Sequence, residues 1–466
     1  MNFLKGFTKD EKSWMMYDWA NSAESVIIVT ILPIFYDTIS ANSTAAINRW
    51  GYGTSFAMLV CALLAPLLGA LGDFKDMRKK LFSAFLAVGV LSCALLAFTP
   101  QMDVASPAGS EKTGLIILVL YIICSIGHAG ANVYYDSFLP DVTSDDRMDK
   151  VSTMGYGMGY IGGSTIPLVI FLVMNLIGLP MTTCLTVAFA LTAVWWAVFS
   201  IPLFKNVHQK NGVEYHKGAV GQAMKGLGAT AKEIFANKKM FVFLLAYFFY
   251  IDGVNTIIHM STIYGSSLGI DSTQMMLALL LTQVLGLPFA LMYIKLSEKY
   301  GTRAMICFGI CMYMFICVFG FFLRSAWQFW VLAVLIATSQ GGIQSLSRSM
   351  YGKLIPDKDR SGEFFGFYDI FGKFSAIMGP TLFGWTTAFA QQRIMDKMGI
   401  DASAPAEVLD AVSRQASPWG VLSVLLIFIA GAVLFFFVFP RVKVRQTTNL
   451  PYERRLKNGR QLCTSA

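Results

Sequence analysis

Apolar residues in this 466-residue chain gather into twelve stretches, each long enough to cross a lipid bilayer as a helix. A run of about 20 apolar residues spans the hydrocarbon core, and a helix satisfies its own backbone polar groups there. The first six runs fall at 17–39, 50–71, 81–98, 115–138, 152–176 and 182–204. The second six fall at 240–264, 273–296, 303–323, 328–349, 364–390 and 419–439. The expected fold is all-α and membrane-embedded, with twelve transmembrane helices. Of the 37 Lys and Arg residues, thirty lie in the two terminal segments and every second connection; six lie on the opposite side. The last cation, Lys373, sits inside the eleventh run. Basic connections stay cytoplasmic, so both termini are expected there.

The formal charge of +9 fits an anionic inner leaflet, where each basic edge residue contributes about 1 kcal/mol, and calls for no nucleic-acid partner. Of the eight Cys, seven lie in or beside apolar runs and Cys463 lies in the tail. No CxxC or Cys/His cluster occurs, so no disulfide framework, metal site or cofactor is expected. The first apolar run is of spanning length without a small-residue cleavage site, unlike a removable signal peptide. Asn42-Ser43-Thr44 has the sequon pattern, which has meaning only in a secretory pathway.

The longest basic connection, 205–239, separates a half at 1–204 from a second at 240–440, with a basic tail at 441–466. Val220, Leu227 and Ile234 recur at seven-residue spacing, with Lys225, Lys232 and Lys238 on other faces. Two readings stand: a basic amphipathic helix on the inner membrane surface, or a partly ordered linker whose lysines enforce topology. The halves also match each other. Aligning Arg147 with Arg360 brings Gly159 onto Gly372 and Pro167 onto Pro380, after Leu139-Pro140-Asp141 and Ile355-Pro356-Asp357 turns. Two six-helix bundles related by an axis along the membrane normal resemble the plan of major facilitator transporters.

The turn after the second run contains Gly69, Asp73, Lys75, Arg78, Lys79 and Lys80. It resembles the major facilitator motif in which a Gly permits close packing, an acid caps a neighbouring helix and cations tether the cytoplasmic face. Its spacing departs from the usual one by about two residues. The second-half counterpart, Glu298 to Arg303, has Ile294 where the packing Gly would sit. Three further blocks are narrower: Tyr17-Asp18-Trp19-Ala20-Asn21-Ser22-Ala23, then Ser339-Gln340-Gly341-Gly342-Ile343-Gln344-Ser345, then Glu363-Phe364-Phe365-Gly366-Phe367-Tyr368-Asp369 with Gly372-Lys373. Together they resemble the vacuole effluxer-like branch of the major facilitator superfamily, whose fungal members are associated with amino-acid efflux from the vacuole. This chain departs from that pattern by carrying Glu24 and Asp136.

Apparent enzyme motifs fail on context. Gly157-Met158-Gly159-Tyr160-Ile161-Gly162 matches a nucleotide fingerprint but lies inside an apolar run, where close packing through Gly155, Gly159 and Gly163 explains it. The Gly366 to Lys373 segment has the wrong P-loop spacing. Asp145-Asp146-Arg147-Met148-Asp149 reads as a favourable acidic helix start rather than a diphosphate site.

Ionisable and amide residues form stripes on four runs: Asp18, Asn21 and Ser25; His128, Asn132 and Asp136; Asp252, Asn255 and His259; Gln340, Gln344 and Arg348. Their spacing of three or four residues puts each set on one helix face. Such groups are costly in lipid and mark pathways, although amides also simply bond packed helices together. By depth, Asp252 and Lys373 are expected at a midplane substrate or coupling site. Glu24 is the expected proton carrier, and Asp369 is a neighbour able to neutralise Lys373. Asp18, Asp73, Asp136 and Arg348 are the expected cytoplasmic gate. The function expected is proton-coupled alternating-access transport of a small solute, an amino acid or peptide, by a monomer in a bacterial inner membrane, with export favoured. A gradient-independent facilitator and a non-transporting receptor are the alternatives.

Overall fold

The computed structural model describes residues 4–40, 44–103, 106–215, 218–401 and 404–441. Most of the sequon and almost all of the basic tail lie outside them. Long helices dominate the described residues. The N-terminal half holds α1 (Lys9–Val26), α2 (Leu32–Ile39), α3 (Thr44–Gly72), α4 (Met77–Leu96), α5 (Pro107–Ser137) and the short α6 (Leu139–Val142). It continues with α7 (Met148–Gly159), α8 (Ile166–Leu176) and α9 (Met181–Asn206). After α10 (Ala219–Ala236) come α11 (Lys238–Ser267), α12 (Ser272–Tyr300), α13 (Thr302–Phe321), α14 (Ala326–Leu354), α15 (Ser361–Met398) and α16 (Ala406–Val433).

By length and composition, ten helices among the described residues are able to cross a membrane. The first and eleventh expected spans are not among these ten. Both of these spans carry paired ionisable positions: α1 has Asp18 and Glu24, and α15 has Asp369 and Lys373. A π-helical turn at Ile27–Ile31 joins α1 to α2, and another at Tyr160–Thr165 joins α7 to α8. Pro33 and Pro167 follow these turns at the first positions of the next helices, where a missing amide hydrogen costs least.

The apolar interior forms two clusters. One is drawn almost entirely from residues up to Val207, the other from Ile234 onward. Between them, α3 packs on α15 and α7 on α12, so equivalent positions of the two halves face each other. Two glycines set the first contact. A Cβ on Gly69 would strike the Gly362 carbonyl, and one on Gly366 would strike Ala65 and Pro66. The second contact uses small residues elsewhere: Gly157 lies against Ala290 and Leu287, and Gly286 lies against the Tyr160 ring. Ile294, in place of the expected Gly, is buried in the N-terminal cluster. The glycines read as packing residues behave so: Gly155, Gly159 and Gly163 all face α1.

The aligned pair Arg147 and Arg360 both become helix-start anchors. Arg147 donates from Nε and NH2 to Glu11, each at 2.8 Å, inside the capping box that opens α1. Burial works against the Glu11 charge, but Arg147, the Thr8 amide and Thr143 hold its carboxyl below the usual range. Arg360 donates to Glu363 and, at 2.9 Å, to Glu233 of α10; it also bonds Thr230.

The long basic connection is neither free nor laid out on lipid alone. Its first part is tied to the N-terminal half: Val213 exchanges backbone bonds with Asp73 and Lys75, and Asp141 accepts the Lys210 and Asn211 amides. Its second part, α10, is helical as the seven-residue spacing implies. The face bearing Thr230, Glu233 and Ile234 docks on the bundle through Arg360. The two parts join at Gly218, whose φ of +89° suits a residue without Cβ.

Candidate functional site

The halves are bonded together mainly at the basic end of the bundle. Asp73, in the turn between α3 and α4, accepts the amides of Gly362 and Glu363 at 2.7 and 2.8 Å. These are orphan donors of the first turn of α15, so the acid caps a helix of the opposite half. Buried Arg78 holds Asp73 at 2.9 Å and Asp141 at 2.5 Å. Burial pushes the Asp73 carboxyl up to about 7, against the pull of Arg78 and the two amides.

A second latch is its counterpart. Asp149, at the start of α7, accepts from Ser349 and from Thr302 at 2.5 Å and pairs with Lys353 at 2.7 Å. The acidic helix start expected from sequence therefore reaches across to α13 and α14. Ser152 donates to the Ser345 carbonyl at 2.8 Å beside it.

Deeper in the bundle, Arg348 of α14 enters the N-terminal half. Its guanidinium donates to Asp136 at 3.0 Å, to Asp18 at 3.2 Å and to the Ser152 hydroxyl at 2.9 Å. Three aromatic rings surround it, with centroids at 4.7 Å for Trp14, 5.3 Å for Tyr135 and 4.6 Å for Tyr156. Asp18 and Asp136, expected as gate residues with Arg348, thus meet it directly.

Above this ion cluster, the stripes of α1 and α5 interlock in rungs. Asn21 donates from Nδ2 to Asn132 Oδ1 at 2.9 Å. Asn132 Nδ2 lies 2.7 Å from His128 Nε2. His128 Nδ1 lies 2.9 Å from Glu24 Oε2, at ion-pair distance but outside hydrogen-bond geometry. Glu24 is buried, with the Cys124 thiol 3.9 Å from its other oxygen. Five expected residues of one half, Asp18, Asn21, Glu24, His128 and Asn132, therefore form one track ending beside Asp136.

The expected residues of the other half do not form a matching track. Asp252 is fully buried between α11 and α15, where its Oδ1 accepts the Gly379 amide at 2.9 Å and its Oδ2 has no partner. In this state a backbone amide of α15 holds Asp252 in a helix–helix contact. Asn255 and Gln340 are half-buried, and His259 is exposed. Half-buried Gln344 lies 3.4 Å from the Tyr160 hydroxyl, again across the halves. Lys373 is paired with Asp369 on its own helix, as the four-residue spacing allows.

Sequence reasoning passed over Trp14, Tyr135, Tyr156 and Ser152. Their signal was present in register: Trp14 and Asp18, like Ser152 and Tyr156, are four residues apart on one helix face.

Residues 41–389 match the family model described as vacuole effluxer Atg22 like. A Bacillus subtilis (strain 168) protein described as an uncharacterized MFS-type transporter, YxiO, is 41% identical over 446 residues, covering 93% of this chain and 96% of that one. Autophagy-related protein 22 of Coccidioides immitis (strain RS) is 23% identical, covering 72% of this chain and 67% of its own. Among solved structures, the major facilitator transporter FucP, in its outward conformation, superposes with a TM-score of 0.64 at 12% identity, over 94% of this chain and 99% of that one. The chain belongs to the Atg22-like branch of the major facilitator superfamily, and is a multi-pass membrane protein of a transporter family.

Proposed function

We propose that this chain is a proton-driven secondary transporter that moves a small zwitterionic solute, an amino acid or small peptide, out of the cell by alternating access. Twelve helices in two bundles, 1–204 and 240–440, rock about the α3–α15 and α7–α12 contacts. The basic end and both termini face the cytoplasm of a bacterial cell, in a plasma membrane with an anionic inner leaflet, and the working unit is a monomer.

The observation that supports this most is the placement of an ionisable pair and a gate on the same two helices. Glu24 and His128 lie behind Asp18 and Asp136, with only the Asn21–Asn132 rung between them. Six residues of helix put Glu24 about 9 Å beyond Asp18. Glu24 Oε2 and His128 Nδ1 face each other and are each able to hold a proton. His128 Nε2 meets the Asn132 amide, so a proton arriving there must turn that amide around, which in turn disturbs its bond to Asn21. Protonation thereby reaches the helices that hold Arg348.

Proteoliposomes holding the full chain and a panel of labelled amino acids test the proposal. Accumulation driven by an imposed pH gradient is expected. Equilibration without accumulation points instead to a facilitator, and ligand binding with no flux to a receptor.

A further inference from the structure

The cage around Arg348 is built entirely by the half to which Arg348 does not belong. Trp14 and Asp18 come from α1, Tyr135 and Asp136 from α5, and Ser152 and Tyr156 from α7. Its aromatic walls are held by contacts that do not involve the occupant, whereas Asp18 and Asp136 each bond to Arg348 itself. The Trp14 indole donates to the Tyr135 carbonyl at 2.9 Å, and the two rings stack at 4.4 Å. Tyr17 supports Tyr135 from behind at 4.7 Å. Gly155 leaves room for the Asp18 carboxylate, because a Cβ there would strike it.

When the halves part at the basic end, α14 withdraws Arg348, the stacked Trp14 and Tyr135 stay in place, and Asp18 and Asp136 are left without their cation. Two carboxylates and three aromatic faces then open to cytoplasmic water. That combination attracts organic cations: the ring faces are electron-rich and the carboxylates accept N–H donors. The resident group shows which shape fits, since a planar guanidinium already fills the space.

We propose that this cage is the cytoplasmic recognition site for a cationic side chain of the transported solute, a guanidinium above all, with Arg348 as its built-in competitor. This rests on the transporter reading above and names the chemical class of its cargo. The device couples loading to closure. The cationic end of a solute occupies the cage while the end is open, and Arg348 displaces it as the end closes. The freed solute moves toward the Glu24–His128 pair. A tethered side chain acts at a high effective concentration, on the order of millimolar, so a solute need bind only moderately to be admitted and then expelled.

The test uses the full chain in lipid nanodiscs with labelled guanidinium as probe, and urea as its neutral counterpart. Arg348→Ala vacates the cage, so guanidinium should bind at least tenfold more tightly than to wild type. Urea should not compete, and adding Asp136→Asn should remove the gain. Arg348→Lys, which leaves the planar slot unfilled, supplies a second reading should the alanine variant fold poorly; it too should bind guanidinium more tightly than wild type. Equal binding to wild type and both variants, or equal competition by urea, overturns the cage. In proteoliposomes, L-arginine should inhibit flux of a transported amino acid at least tenfold more strongly than its neutral isostere L-citrulline. Guanidinium binding without that preference overturns the cargo assignment, whereas binding with no flux of any solute overturns the transporter reading instead.

Discussion

Gly69→Ala should open the basic end without unfolding the protein. The added Cβ would sit 2.6 Å from the Gly362 carbonyl carbon and closer still to its oxygen. Backbone cannot swing aside as a flexible side chain does, so α3 and α15 must separate by about 1.4 Å to take that oxygen from 2.0 Å to an ordinary contact of 3.4 Å. Overpacking of this kind costs about 1–3 kcal/mol, which corresponds to roughly a 5- to 150-fold shift between closed and open forms. The cost falls only on the closed form, because the two helices part in the open one. Hydrogen exchange reads the shift directly. The Gly362 and Glu363 amides are protected by Asp73 when the end is closed, so their exchange should accelerate by the same factor. Gly384→Ala, on the same helix but facing open space, is the control and should leave exchange unchanged. Unaltered protection in Gly69→Ala, or acceleration spread over every helix, would refute the argument that this contact closes the end.

Protonation of Asp73 should act on the same amides. Its carboxyl is pushed to about 7 when buried, from an ordinary value of 3.8. The closed form therefore holds the proton more tightly, and closure should gain as pH falls through 7 toward 4. In Asp73→Asn the pH dependence of exchange, corrected for intrinsic chemistry, should disappear. Lys373→Met leaves Asp369 half-buried without its cation; it should lower stability by up to about 3 kcal/mol, and Asp369→Asn added to it should restore most of the melting temperature and transport. Failure of that rescue would assign Lys373 a direct role with substrate. Glu24→Gln should abolish the response of transport to an imposed pH gradient while exchange-type counterflow persists; an intact response would remove Glu24 from the proton path.

Much of the bundle was legible because lipid imposes a simple rule, and runs such as 81–98 and 182–204 obey it without a single charged residue. The α1 and α5 stripes were readable because polar residues at helical spacing stand out against an apolar background. Trp14, Tyr135 and Tyr156 were not readable, since aromatic residues in a membrane segment look the same whether they pack in the interior or surround a cation. The partner of Asp252 was unreadable for a different reason: it is the Gly379 backbone amide, and no residue type records where an amide becomes available. Asp149 stood in an acidic helix start that was sufficient to explain it, which concealed its bonds to Thr302, Ser349 and Lys353.

The division of the long connection has a practical consequence. Residues up to Val213 are bonded to the turn of the first half, whereas α10 is held by Arg360 of the second. The chain can therefore be cut into two separately expressed pieces, and the location of the cut determines which contacts must re-form. A break just before Gly218 keeps Val213 with the first half and α10 with Arg360, and leaves the α10–α3 packing and the Gly212–Asp359 bond to re-form between the pieces. A break after Ala236 leaves α10 with α3 but separates it from Arg360, so its Thr230 and Glu233 bonds must re-form between the fragments. Gly218 is the seam between two inheritable parts, which is how a duplicated carrier could once have been two chains.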